Sequence, residues 1–287
     1  ITSSEGSSAG AIAFMKIYDT ATEYVKQAGK RRGANMGILN VTHSDIEAFV
    51  TSKSDGVSLQ NFNISVGITN AFMDAVEKNK NWQLVNPRTK KVSKTIQAKK
   101  LWNLIAEQAQ KTGEPGLIFL DTINQDNRLP KQGKINCTNP CGEVPLFDFE
   151  SCNLGSINLT KMVVHDGKKN EIDWNKLDKT ISIAIRFLDN VISSNHYLLP
   201  NIKHITLANR KIGLGVMGWA ELLIMLSIPY ASEKAVDLAE VLMKFIQEKS
   251  YAASGNLAQI RGCFPSWKES RYAPNTLLRN ATCNSIA

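Results

Sequence analysis

Residues 36–68 read MGILNVTHSDIEAFVTSKSDGVSLQNFNISVGI, and the fold class turns on how that stretch is parsed. Met36–Val41 is a short apolar run that reads as a buried strand. His43–Thr51 reads as a helix opened by Ser44, with Glu47 at capping-box distance. A turn at Asp55 and Gly56 follows, and Asn61–Ile68 then alternates polar and apolar residues as a strand does. Strands separated by helices imply an α/β sheet.

Working outward, the same rhythm continues. Residues 11–28 repeat apolar positions at helical spacing and stop at Gly29, and the basic loop GKRRGAN comes next. A helix begins from Thr69, another spans Gln97–Lys111 before Gly113, and Gly116–Asp121 (GLIFLD) is a further strand. Strands spaced in this way suit a barrel or a doubly wound layer. Beyond about residue 172 the pattern turns helical: Trp174–Ser194 carries Leu177, Ile181, Ile183, Ile185 and Leu188, and Ala235–Ser250 is a second amphipathic stretch.

Of the 287 residues, 43% are hydrophobic and 21% charged, which excludes the disordered and fibrous classes. The sequence has no run of 18 apolar residues, so no membrane span is expected, and Ile1–Ser4 does not read as a signal peptide. Five cysteines are too few for a disulfide framework and point to thiols in a reducing compartment, with the cytoplasm as the expected location. The formal charge of +8 suits nucleic acid, nucleotide or phosphate. Lys and Arg read as spread along the chain, however, and 7% aromatics are sparse for base stacking. No direct DNA binding is therefore expected, and a nucleotide ligand stays open. With no initiator Met and an uncapped end at Ile286 and Ala287, the sequence reads as a piece of something longer.

The chemistry concentrates in INCTNPCGEVPL (135–146) and ESCNLGSINL (150–159), which hold three of the five cysteines. Pro140 forbids helix and pushes Asn139 toward an extended conformation, in which alternate residues share a face. Asn139, Cys141 and Glu143 are then expected to point the same way. They would supply an amide to orient a ligand, a thiol as nucleophile or hydrogen-atom carrier, and a carboxylate base. A hairpin would bring Cys152 beside them.

Rival readings attach to other residues. Cys141 also fits a buried thiol in a polar loop. Cys137 and Cys141 form a C-x3-C that would be half a zinc site with Cys152 or His165, but a second pair is missing and no metal is expected. His43, His165, His196 and His204 read as surface or helix-end residues. IGLGVMGWAELL (212–223) contains the G-x-G-x-x-G of dinucleotide folds in Gly213, Gly215 and Gly218. Ala208, Asn209, Arg210 and Lys211 before it are no buried strand, and only a weak segment precedes Glu233, so these glycines read instead as allowing close strand-to-helix packing. The loop at Gly29–Gly33 reads as a phosphate cradle or a solvated basic turn.

NPCGEVPL together with ESCNLGSINL resembles the catalytic large chain of ribonucleotide reductases, most like the adenosylcobalamin-dependent class II branch. KQAGKRRGANMGILNVTHSDIEAF, NFNISVGIT, GEPGLIFLDTIN, RKIGLGVMGWAELL and NATCNSIA extend the resemblance over the whole chain. It implies a ten-stranded α/β barrel of two half-barrels with the radical cysteine on a central finger loop. Residues 1–287 would be part of that catalytic domain, roughly 1–160 forming half-barrel strands and finger loop and 161–287 a mainly helical continuation.

The resemblance also assigns roles. Cys141 would carry the thiyl radical that takes the 3′ hydrogen of the ribose, Glu143 would take the 3′ hydroxyl proton and Asn139 would hold the hydroxyls, with Pro140 and Gly142 completing the substrate contact. Cys152 would be the downstream member of a redox pair whose partner precedes Ile1. Gln27, Lys30, Arg31, Gly33 and Ala34 would form the loop relaying a bound effector to the substrate base. The implied cofactor is adenosylcobalamin, or alternatively a radical from a separate di-metal subunit. The implied partners are a ribonucleotide, dNTP or ATP effectors, a dithiol reductant such as thioredoxin, the complementary remainder of the reductase and a second copy in a homodimer. A non-catalytic nucleotide-binding or assembly module of the same fold is the rival, with an NAD-dependent dehydrogenase behind it.

Overall fold

The computed structural model describes residues 10–25, 33–165 and 167–286. They form two compact units, one running to Asp126 and including Ile135–Pro145, the other made of Asn127–Lys134 and the chain from Leu146 onward.

The first unit contains α1 (Gly10–Tyr24), β1 (Asn35–Asn40), α2 (Ile46–Val50), β2 (Phe62–Ile68), α3 (Asn70–Glu77), β3 (Asn81–Val85), β4 (Val92–Gln97), α4 (Ala98–Thr112), β5 (Gly116–Phe119), α5 (Leu120–Gln125) and β6 (Cys137–Thr138). β1, β2 and β5 make a parallel sheet with β2 in the middle, Gly37 opposite Ile64 and Gly67 opposite Ile118. Of the seven residues of β2 only Asn63 is exposed, the burial pattern of a central parallel strand covered on both faces. Ile64, Val66 and Ile68 pack with Phe49, Phe72 and Leu101 in one apolar core.

Local signals explain most of these boundaries. The Thr69 hydroxyl accepts from the Phe72 N–H at 3.2 Å and starts α3, and Gly113 ends α4 in the left-handed region at φ +81. α2 departs from the expected helix: it begins at Ile46, and its capping residue Asp45 makes no side-chain cap. Asp45 instead turns its carboxylate to the N–H of Ala11 at 3.2 Å, at the start of α1, and Glu47 pairs with Lys94 at 2.5 Å. The expected continuation of α1 toward Gly29 lies outside the described residues.

The second unit opens at the end of β7 (Pro145–Leu146) and holds β8 (Asn153–Asn158), β9 (Val163–His165), β10 (Asn170–Ile172), α6 (Trp174–Ser194), α7 (Pro200–Asn209), β11 (Ile212–Met217), α8 (Trp219–Met225) and α9 (Glu233–Arg261). β8 and β11 pair in parallel, Ile212 opposite Asn153 and Met217 opposite Asn158. Their apolar side chains meet Leu177, Ile181 and Ile185 of α6 and Leu242 and Ile246 of α9. Asp189, fully buried on α6, gathers Arg210 Nε at 2.8 Å, Arg261 Nη1 at 3.0 Å, Arg279 Nε at 3.4 Å and Asn280 Nδ2 at 3.2 Å.

One sheet of three strands and four of two account for the strands, so the described residues form no closed barrel. No described helix is long and apolar enough to cross a membrane.

Candidate active site

The segment between β6 and β7 is a turn. The Gly142 N–H donates to the Asn139 carbonyl at 3.0 Å, and the Asn139 N–H to the Val144 carbonyl at 3.3 Å. Asn first, Pro second and Gly fourth is the composition of a type I turn, with Pro fixing φ at the second position. Gly142 stands at φ +88, where a side chain is strained. The extended segment expected here is therefore corrected: the chain reverses between Asn139 and Gly142, and strand alternation is not what relates Asn139, Cys141 and Glu143.

The turn nevertheless keeps those three residues close in the chain and gives each a distinct setting. Cys141 is exposed at the tip. Asn139 is half-buried, and its Oδ1 accepts from the Val144 N–H at 3.0 Å, which fixes the amide's orientation and leaves Nδ2 as its donor. Glu143 is half-buried with Oε2 enclosed by protein. From β2, Asn63 Nδ2 donates to the Pro140 carbonyl at 2.6 Å, and Ile118 of β5 lies beneath Gly142, 3.9 Å from where a Cβ would sit. The turn is thus tied to the parallel sheet of its own unit.

Cys152 lies in the second unit immediately before β8, half-buried, with its thiol directed to the Asn153 carbonyl at 3.5 Å. Its neighbours are anchored on both sides, Ser151 through its hydroxyl to Thr206 of α7 at 2.8 Å and Asn153 Nδ2 to the Leu188 carbonyl at 3.0 Å. Two residues upstream, the buried Glu150 accepts from Lys211 Nζ at 2.7 Å, Asn209 Nδ2 at 2.7 Å and the Phe147 N–H at 2.9 Å. Sequence reading passed over Asn63, Glu150 and Lys211. All three lay inside quoted motifs, but nothing local in the sequence marked which distant group each would meet.

The other cysteines differ in kind. Burial pushes the Cys283 thiol up to about 12, which marks it as a packing residue. Among the described residues no three His, Cys, Asp or Glu side chains gather closely enough to hold a metal ion.

The dinucleotide fingerprint is not formed. Gly213 and Gly215 lie within β11 itself, not in a turn after it, and Gly218 at φ +79 caps α8. Gly213 is needed for packing, but against other groups than expected: a Cβ there would lie 2.5 Å from Leu154 Cδ2 of β8 and 2.7 Å from Ser285 Cβ. Of the basic loop, Gln27, Lys30 and Arg31 lie outside the described residues. Gly33 lies against Thr22 of α1, with 2.9 Å between its would-be Cβ and Thr22 Cγ2, and Ala34 leads into β1.

Comparison with known proteins places this geometry in context. Residues 1–281 match the family model described as ribonucleotide reductase, barrel domain. The chain is 52% identical over 287 residues to a vitamin B12-dependent ribonucleoside-diphosphate reductase of Thermoplasma acidophilum, covering 99% of this chain and 37% of that protein. It is 49% identical to the protein of the same name from Mycobacterium tuberculosis H37Rv, covering 100% of this chain and 40% of the relative. A ribonucleoside-diphosphate reductase subunit alpha of Chlamydia trachomatis is 34% identical over 95% of this chain and 29% of its own length. The chain thus spans about two fifths of the length of its nearer relatives named here. It belongs to the ribonucleotide reductase barrel-domain family.

Proposed function

We propose that the protein containing this chain reduces ribonucleotides to deoxyribonucleotides by cysteine thiyl-radical chemistry, and that this chain supplies part of a ten-stranded barrel with its finger loop. The observation that carries the reading is the Asn139–Val144 turn, which presents an exposed thiol between an oriented amide and a half-buried carboxylate.

Each residue has one task in this reading. Cys141, once it has lost its hydrogen atom, takes the hydrogen from the 3′ carbon of the ribose and re-forms its S–H bond. Glu143 accepts the 3′ hydroxyl proton. Asn139 donates through Nδ2 to a ribose hydroxyl, since its Oδ1 is engaged by Val144. Pro140 and Gly142 set the turn that the sugar meets. Cys152 and a second thiol outside this chain deliver two electrons, becoming a disulfide as the departing hydroxyl leaves as water.

The Thermoplasma and Mycobacterium relatives are named as vitamin B12-dependent, and adenosylcobalamin would supply the organic radical that withdraws the hydrogen atom from Cys141. An exposed thiol at the tip of a braced turn fits that requirement. Gly33 and Ala34, with Gln27, Lys30 and Arg31, would pass effector binding on to substrate choice. A dithiol such as thioredoxin would restore the Cys152 pair. A homodimer would cover Phe14, Ile17 and Tyr18, which α1 leaves exposed on one face.

The test is anaerobic reduction of ribonucleotides by the complete protein with a dithiol, with and without adenosylcobalamin, beside Cys141→Ser. Product formed only with the cobalamin and lost in Cys141→Ser supports the reading. Product that needs an added metal-radical subunit overturns the cofactor and keeps the reductase. Nucleotide binding without reduction under any condition favours the non-catalytic module.

A further inference from the structure

The expectation that Lys and Arg are spread along the chain does not hold. No Asp or Glu occurs between Glu77 and Glu107, while Lys78, Lys80, Arg88, Lys90, Lys91, Lys94, Lys99 and Lys100 fall in that interval. Those eight cations equal the formal excess of +8 for the whole sequence, so the remainder is neutral in sum. They occupy the end of α3, the antiparallel β3–β4 hairpin and the first turn of α4, and all are exposed.

Local stability does not account for this placement. Lys99 and Lys100 stand in the first turn of α4, where the helix dipole favours carboxylates and none is present. Lys78 pairs with Asp74 at 3.2 Å and Lys94 with Glu47 at 2.5 Å. Among the described residues, no ion pair engages Lys80, Arg88, Lys90, Lys91, Lys99 or Lys100. Beside β4 and α4 lies a groove of about 520 Å³ whose lining includes Asn81, Lys94, Gln97, Lys100 and Leu104 together with the carboxylate of Glu47, which Lys94 neutralises.

We propose that the β3–β4 hairpin and the start of α4 form a docking surface for the phosphodiester backbone of duplex DNA, bound without base reading. Seven of the eight cations are lysine, a residue depleted at protein–protein interfaces and suited to phosphate as a mobile point charge. Trp82, the one aromatic of the segment, packs edge-on against Phe72 with 5.1 Å between centroids and gives its indole N–H to the Val41 carbonyl. It offers no platform for unpaired bases, which argues against single strands. A two-stranded ribbon has the dimensions of the major groove, and Thr89 and Thr95 add hydroxyl donors for phosphate oxygens, the Ser93 hydroxyl being given to the Leu84 carbonyl at 3.0 Å. This surface lies outside the Cys141 turn and stands whether or not the reductase reading does.

The experiment is fluorescence anisotropy of a labelled mixed-sequence duplex with the complete protein, from low to physiological salt. Five phosphate contacts would make log Kd rise with log salt at a slope of about 4 to 5. Arg88→Glu/Lys90→Glu/Lys91→Glu should weaken low-salt binding by roughly 100-fold and flatten that slope by about 3. Lys99→Gln/Lys100→Gln, which relieves the helix dipole and folds at least as well, should flatten it by about 2. Absence of binding at low salt overturns the proposal, as does a slope unchanged in both variants. A single strand or polyglutamate that binds the hairpin as tightly as the duplex overturns it in favour of another polyanion.

Discussion

Asn63 Nδ2 donates to the carbonyl oxygen of Pro140 at 2.6 Å, joining the exposed position of a central strand to the turn that carries Cys141, 77 residues further along the chain. A backbone carbonyl in a tight turn has few ways to shift without moving the next residue. The hydrogen bond therefore ties the turn that carries Cys141 to β2. Asn63→Ala should lower kcat for ribonucleotide reduction about 10- to 100-fold, in line with the cost of small misplacements of reacting groups, with a smaller change in KM. Its stability cost should stay near 1 kcal/mol, the usual worth of one hydrogen bond. Steady-state kinetics beside thermal melting of the complete protein separate the two effects. A fall in kcat matched by a large loss of Tm would make Asn63 a folding residue only.

The Glu150–Lys211 pair makes a different kind of demand. Both side chains are almost wholly buried, and removing one charge strands the other. Lys211→Ala should destabilise the protein by about 3 to 5 kcal/mol. Glu150→Gln combined with Lys211→Met should recover more than half of that loss, because a neutral pair of similar volume carries no desolvated charge. Urea unfolding of wild type, single and double variants measures both, and a double variant no better than Lys211→Ala would refute the account.

Thiol reactivity should divide the cysteines. At mildly alkaline pH a maleimide should label Cys141 rapidly and leave Cys283 unlabelled until the chain unfolds, as mass spectrometry of digests would show. The raised value at Cys283 also has a sign for stability. The folded chain holds that proton up to about 12, whereas the unfolded chain begins to release it near 9. Stability should therefore fall as pH rises through that window, and Cys283→Ala should lessen the fall. Equal alkaline sensitivity in the variant would place its origin in other groups.

Gly213→Ala tests the closeness of β8, β11 and the terminal segment. The added methyl would overlap Leu154 and Ser285, and the destabilisation should be about 1 to 3 kcal/mol. A melting temperature within error of wild type would show that these side chains yield freely.

The strand–helix–strand reading of residues 36–68 was legible because each element is local: β1 and β2 form where the apolar runs lie, and they pair in parallel. Ends were less legible where a side chain serves a distant element, as Asp45 does at the start of α1 and Glu47 does with Lys94. The turn at Cys141 was misread because Pro140 was weighed for its effect on Asn139 alone, although Asn-Pro-x-Gly spells a type I turn. Arg210 and Lys211 form no strand, as their polarity implied, but their burial was not legible, because it rests on the distant carboxylates of Asp189 and Glu150. The clustering of charge at residues 78–100 was plain in the sequence and hidden by averaging over the chain.

The three guanidiniums on Asp189 come from the residue that ends α7, the end of α9 and the segment after it. A single carboxylate therefore acts as a keystone. The terminal segment is bound into the same lock: Ile212 and Leu214 donate their N–H groups to the carbonyls of Thr282 and Cys283. That segment has no independent way to open. The second unit should open all at once, with the amides of Ile212 and Leu214 exchanging their hydrogens only when Asp189 loses its hold and the unit melts as a whole.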